Sequence, residues 1–162
     1  MIQPMQPQHW ERVAAIYLEG IATGHATFET ALPSFEQWDQ THLAVPRLIA
    51  LGQNVIVGWA ALSPVSRRGV YAGVAEVSVY VTATSRDSGV GRKLLEALID
   101  ESESNGIWTL QASIFPENLA SIGLHRACGF REVGRRERIG KMNAVWRDTV
   151  LLERRSRVVG ID

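Results

Sequence analysis

Glu76-Val77-Ser78-Val79-Tyr80-Val81 leads through Thr82 to Ser85 into Arg86-Asp87-Ser88-Gly89-Val90-Gly91-Arg92-Lys93-Leu94-Leu95. The first part is a strand. β-Branched residues dominate it, and because strand side chains alternate faces, Val77, Val79 and Val81 point one way while Glu76, Ser78 and Tyr80 point the other. The last part opens a helix, since Val90, Leu94, Leu95 and Leu98 form one apolar stripe with Arg92, Lys93, Glu96 and Asp100 off it. Between them, Gly89 and Gly91 can each take positive φ or admit close backbone approach. Free N–H groups at a helix start, together with the helix dipole, make an anion site, and Arg86, Arg92 and Lys93 add charge beside it. A tight turn is the competing account of the same glycines.

Outward from this segment the chain alternates helical and strand patterns, without repeats or low-complexity tracts. Upstream, Trp10, Val13, Ala14, Tyr17 and Ile21 recur at helical spacing, predicting a helix from about Gln8 to Gly20, with Gly20 and Gly24 helping to stop it. Ser34 with Gln37 reads as a capping box for a short helix through Trp38 and Leu43. Arg47 to Leu51 and Val55 to Leu62 are strands joined by the hairpin chemistry of Gly52-Gln53-Asn54, and Ser63 to Gly69 is a loop before a strand from Val70 to Val81.

Downstream, Asn105-Gly106 closes the helix that starts near Val90, and Trp108 to Ile114 alternates as a strand. Asn118 is the N-cap of a further helix that stops at Gly129, and Phe130 to Val133 and Val145 to Leu152 complete the sheet. The expected architecture is an α/β sandwich on a mixed, mostly antiparallel sheet with one strand-helix-strand unit at its centre.

At 162 residues one domain over 1–162 is expected. The longest apolar run, Val55 to Leu62, is far below the roughly 20 residues of a membrane span, and Met1-Ile2-Gln3-Pro4 is no secretory leader, so a soluble cytoplasmic protein is expected. Seventeen Lys plus Arg balance 17 Asp plus Glu, which gives no field for nucleic acid or anionic membrane. The late arginines Arg135, Arg136, Arg138, Arg154, Arg155 and Arg157 read as a solvated face and tail. Cys128 stands alone and four histidines lack ligand spacing, so neither a disulfide nor a metal is expected.

The glycine loop is neither GxGxxG nor a P-loop ending in GKS/T, which weighs against nicotinamide and nucleotide-triphosphate sites. Arg-x-x-Gly-x-Gly after a Val-rich strand, followed by Asn118 and then Gly129-Phe130, resembles the GNAT acetyltransferase superfamily along nearly the whole chain. Within it, Glu76 to Val81, Asn118 to His125, Thr27-Phe28-Glu29-Thr30 and Val145-Trp146-Arg147-Asp148 are similar to the phosphinothricin acetyltransferase group. Ile114-Phe115-Pro116-Glu117-Asn118 and the stretch from Trp146 to Arg155 are similar to its arsinothricin-resistance members.

The resemblance implies a GNAT fold, a sheet flanked by helices on both faces, with acetyl-CoA as co-substrate. It also implies a small amino-acid analogue as acceptor, of the phosphinothricin, methionine sulfoximine or arsinothricin type. It places the cofactor along Val79, Tyr80 and Val81, its pyrophosphate over Arg86, Asp87, Ser88, Gly89, Val90, Gly91 and Arg92, and its pantetheine arm by Asn118 and Ser121.

Transfer to an amine needs a base, and Glu76 is the candidate, with a plain surface carboxylate as the alternative. An N–H near Val79 or Tyr80 would hold the oxyanion. His125 either serves the leaving thiolate or merely packs. Arg67 or Arg68, with Tyr71, would grip an acidic group, and Phe28, Glu29, Val77 and Ser78 would complete the acceptor pocket, although the early loop is otherwise a plain helix end. A homodimer is implied, with Lys141 to Trp146 closing the partner's pocket; as a lone strand Trp, Trp146 otherwise reads as core or interface. The rivals are an acetyltransferase for protein N-termini or polyamines, and a non-catalytic acyl-CoA-binding module.

Overall fold

The structure, a computed structural model, describes residues 1–162. Seven strands form one sheet, namely β1 (Ile2–Pro4), β2 (Arg47–Gly52), β3 (Val55–Pro64), β4 (Val74–Val81), β5 (Thr109–Ile114), β6 (Arg131–Met142) and β7 (Val145–Arg155). Their order is β1-β2-β3-β4-β5-β7-β6. Four helices accompany them, α1 (Trp10–Ala22), α2 (Phe35–Thr41), α3 (Val90–Ser104) and α4 (Leu119–Ala127).

All neighbours are antiparallel except β4 and β5, whose crossover is α3. That parallel pair is registered only from Val74↔Thr109 to Glu76↔Gln111, although β4 continues to Val81 and β5 to Ile114. The strands therefore fork beyond Glu76. Along the fork, backbone groups of Val77 to Val81 have no ladder partner on the β5 side, and polar backbone in that state needs a partner from elsewhere.

Helices cover both faces. Leu94, Leu95 and Leu98 of α3 are fully buried with Leu62, Leu110 and Leu152 of the sheet in the larger core. Each such side chain contributes about 1.5–3 kcal/mol by leaving water. On the opposite face Val13, Ile16 and Tyr17 of α1 pack with Trp38, Ile49 and Trp59. The alternation read in β4 holds: Val77, Val79 and Val81 meet the first core, and Tyr80 the second, stacked on Trp59 at 4.8 Å.

Several boundaries differ from the sequence reading. A 3-10 turn at Pro7–His9 precedes α1, which runs through Gly20 to Ala22, and Gly24 with φ 72° ends it instead. Gly20 lacks a side chain for another reason, since a Cβ there would lie 2.6 Å from the Tyr80 ring. β4 begins at Val74 rather than Val70 because Gly69–Tyr71 forms a 3-10 turn. At Gly73 the Trp108 ring packs directly on the backbone. Leu43 lies beyond α2, whose Ser34–Gln37 capping box is present as read. The Gly52-Gln53-Asn54 hairpin also forms, with positive φ at Gln53 and Asn54.

β1 and most of β6 were not foreseen. β1 is only three residues long, and β6 is the sheet edge, charged on both faces and without apolar alternation. Charge of that kind is how an edge strand avoids further pairing, and it also hides the strand's period. Three of the six late arginines, Arg135, Arg154 and Arg155, have partners for their side chains, as does Arg131. Arg135 pairs with Asp148 at 2.7 Å, Arg131 with Glu153 and Arg154 with Glu103 at 2.9 Å each, and Arg155 binds the carbonyls of Ser156 and Val159.

Candidate active site

The fork between β4 and β5 opens into a cleft of about 850 Å³ that reaches from the α3 N-terminus to the loop after α1. At the α3 end, Thr82 leads into a 3-10 turn at Ala83–Ser85, and Asp87 and Gly89 take φ of 59° and 81°. Gly89 is the N-cap of α3, and the first intrahelical bond is from Lys93 N–H to the Gly89 carbonyl. The N–H groups of Val90, Gly91 and Arg92 are thus free for an anion. Gly91 meets a different need: a Cβ there would come within 3.3 Å of Leu124, so its lack of a side chain lets α3 sit close to α4.

Arg86 and Arg92 line this end, and Arg92 is also tied to Glu96 at 2.7 Å, which holds its pKa above the usual value. The base of the loop is anchored by Glu19 of α1. Its carboxylate accepts from Thr82 Oγ1 at 2.9 Å and from Ala83 N–H at 2.7 Å.

Glu76 lies at the vertex of the fork, the last position at which β4 and β5 still pair. Its Oε1 accepts from Gln111 Nε2 at 3.2 Å and Ser113 Oγ at 3.1 Å, which fixes the carboxylate while it lines the cleft. Ser78, Val77, Val79 and Val81 continue the β4 wall. Tyr80 also lines it, and burial, with Tyr17 adding to it, pushes its phenol far above the ordinary range, so it stays protonated.

The opposite wall is α4. Asn118 caps it by accepting from Ser121 N–H at 3.2 Å, and the Asn118 amide donates to the His25 carbonyl at 3.2 Å. His125 is 5 % exposed and donates from Nδ1 to the Ser121 carbonyl at 2.7 Å. A carbonyl can only accept, so the proton sits on Nδ1 and Nε2 keeps a lone pair. Desolvation lowers the ring's pKa, which keeps it neutral. In this state His125 has no Nε2 proton to give a departing thiolate.

The far end is roofed by the loop after α1. Phe28 packs edge-on against Phe115 at 4.8 Å and lies over Gly140, where a Cβ would meet its ring at 2.8 Å. Arg147, with its side chain 13 % exposed, spans the roof. It donates to the Gly24 carbonyl at 3.0 Å, reaches Glu117 at 3.4 Å, and lies 4.0 Å over the Phe115 ring.

Most of the expected site residues come together in this cleft. Glu29, Ser88 and Val90 are not among its lining residues; Ser88 bonds the Ser85 carbonyl and braces the loop from behind. Arg67, Arg68 and Tyr71 are exposed on the turn before β4, outside the cleft, where Arg68 stacks on Tyr71 at 5.6 Å. The resemblance implied that they grip the acceptor's acidic group; with a 3-10 turn at Gly69–Tyr71 in place of the expected strand start, they lie apart from the cleft instead. Ser113, Thr149 and the Arg147 clamp were missed as site features, for within their strands they read only as polar alternates. No group of three His, Cys, Asp or Glu side chains is placed to hold a metal ion.

A forked parallel strand pair with an anion cradle at one end and a fixed carboxylate at its vertex defines an acyl-transfer cleft. Residues 10–130 match the Acetyltransferase (GNAT) family, and the chain belongs to that family. It is 33% identical over 153 residues to a phosphinothricin N-acetyltransferase of Alcaligenes faecalis, covering 88% of this chain and 75% of the relative. It is 29% identical to an L-methionine sulfoximine/L-methionine sulfone acetyltransferase of Pseudomonas aeruginosa, over 87% of this chain and 86% of that one. The structure of a phosphinothricin acetyltransferase from Sinorhizobium meliloti in complex with AcCoA superposes with a TM-score of 0.85 at 25% identity, covering 100% of this chain and 96% of that one.

The protein is an acetyl-CoA-dependent N-acetyltransferase. The residues present fit the cofactor: three free helix N–H groups and two arginines suit a pyrophosphate, and the unpaired backbone of the fork suits an amide-bearing arm.

Proposed function

We propose that this enzyme acetylates the α-amine of a small glutamate-like amino-acid analogue of the phosphinothricin, methionine sulfoximine or arsinothricin type, and so confers resistance to it or detoxifies it. The observation that carries the reading is Glu76 at the vertex of the fork, held by Gln111 and Ser113 and facing a short roofed pocket. Acetyl-CoA, when bound, supplies the activated acyl group and a thiolate leaving group. Glu76 takes the proton from the incoming ammonium so that the neutral amine can attack, a role of general-base type. Unpartnered N–H groups between Val77 and Val81 are the donors for the oxygen on which charge develops. His125 is assigned to the wall as a fixed acceptor rather than to proton donation.

The names of the relatives support the substrate class. The roof supports it independently, because Arg147 and Asn118 hold the loop down at Gly24 and His25, and a closed end favours a small acceptor over a peptide. A polyamine would want several carboxylates, whereas Glu76 is the only acidic side chain on the pocket floor and Glu117 is drawn to Arg147. We also propose a cytoplasmic homodimer. Val133, Ile139, Val145 and Trp146 are exposed along β6 and its hairpin with β7, apolar surface that a second copy would cover.

A thiol-release assay with acetyl-CoA and a panel of amines tests the reading. Phosphinothricin and methionine sulfoximine are expected to outpace spermine and peptides. Faster turnover of either rival class contradicts it.

A further inference from the structure

Thr149 of β7 is 3 % exposed, lines the cleft, and has a hydroxyl without any hydrogen-bond partner. Buried hydroxyls are nearly always paired, so an orphan in a binding cleft calls for an explanation that a valine of the same shape would not. The other two orphaned polar atoms, the indole nitrogens of Trp38 and Trp59, lie in the aromatic core away from the cleft and carry no such meaning.

The sheet register places Thr149. Paired residues share a face and alternate residues repeat it. Ser113, which holds Glu76, pairs with Leu151, so Thr149 is on the same face as Ser113 and Glu76, two positions further along β7. At about 3.4 Å per residue that is roughly 7 Å beyond the row of Ser113, whose hydroxyl holds the Glu76 carboxylate to which the acceptor amine must come. An α-carboxylate shares its carbon with the amine and falls short of Thr149. The far end of an extended side chain reaches it, in a cleft that the packed rings of Phe28 and Phe115 also line.

Resting on the substrate reading above, we infer that Thr149 is a specificity residue whose hydroxyl donates to an oxygen on the distal end of the acceptor's side chain. The ligand chemistry is an amino acid ending in a carboxylate, phosphinate, sulfone or sulfoximine oxygen. Arg147, two residues back on the same strand face, acts from behind by clamping the roof over that end.

Methionine sulfone and methionine differ only in the two sulfone oxygens and form the test pair. Both are assayed with acetyl-CoA on the wild type, Thr149→Val and Thr149→Ser. The expected result is that Thr149→Val lowers kcat/KM for the sulfone about tenfold or more, leaves methionine within about twofold, and melts no lower than wild type. Thr149→Ser is expected to restore the preference. Equal loss on both substrates, or none on either, overturns the inference while leaving the amino-acid reading intact. A wild type inert toward both and active on other amines overturns the two together.

Discussion

The two ends of the cleft are built in opposite ways. The α3 end is one continuous segment whose backbone does the binding: Asp87 and Gly89 take positive φ, and three N–H groups emerge without partners. The acceptor end is assembled from side chains of four separate segments: Glu76, Ser113 with Phe115, and Thr149 are brought together by the sheet register, and Phe28 joins them from the loop after α1 by packing on Phe115. Backbone-built sites depend on conformation and tolerate most side chains. Side-chain-built sites fail by single atoms. Substitutions should therefore separate cleanly, with those at one end moving cofactor affinity and those at the other moving turnover and acceptor choice.

The largest separation is expected at Glu76. Glu76→Gln keeps the bonds to Gln111 and Ser113 possible but removes the base, and kcat should fall by about 10² or more, the range for a lost general base. Steady-state kinetics checks it, and unchanged turnover across pH removes Glu76 from the role. Next comes Gly89→Val. A β-branched residue at φ 81° is strained, so the cradle must deform, and acetyl-CoA should bind roughly tenfold more weakly while kcat at saturation changes less. Calorimetric titration reads that directly.

A smaller effect is expected at Arg147→Met, which keeps an unbranched apolar stem but removes the guanidinium and so releases Gly24 and His25. The acceptor KM should rise severalfold with the acetyl-CoA KM unmoved; a parallel rise in both would join the two ends that the comparison holds apart.

The smallest effect is on stability. His125 is held neutral, its folded pKa below the ordinary 6.5 because burial disfavours the cation. The unfolded chain then binds more protons as pH falls, so stability is full above about pH 6.5 and declines below it. Thermal melts from pH 8 to 5 should show that decline, and His125→Phe should flatten part of it. His42, buried on Trp38 and lowered for the same reason, accounts for a further part.

The difference between the ends also explains what could be read from the chain. Arg86 to Arg92 was legible because a glycine pair between a Val-rich strand and an apolar helical stripe is a local pattern, and the helix began where the pattern said. Glu76 was legible as a face of an alternating strand, but its place at the vertex depends on where β4 and β5 part, which no local pattern states. Thr149 and Ser113 gave no signal, as each is one polar residue among alternating ones. Arg67 and Arg68 were set in the site by resemblance alone, and nothing in the spacing of their loop marks the 3-10 turn that follows them or their place outside the cleft. Gly20 shows a glycine whose cause is a ring from another element, not a helix end.

The central claim is that the fork separates a cofactor end from a chemical end, with Glu76 at the division. Titrating acetyl-CoA into Glu76→Gln tests it most directly. The account predicts a dissociation constant within about twofold of wild type in a variant that has lost nearly all turnover; an affinity loss that tracks the loss of turnover would contradict it.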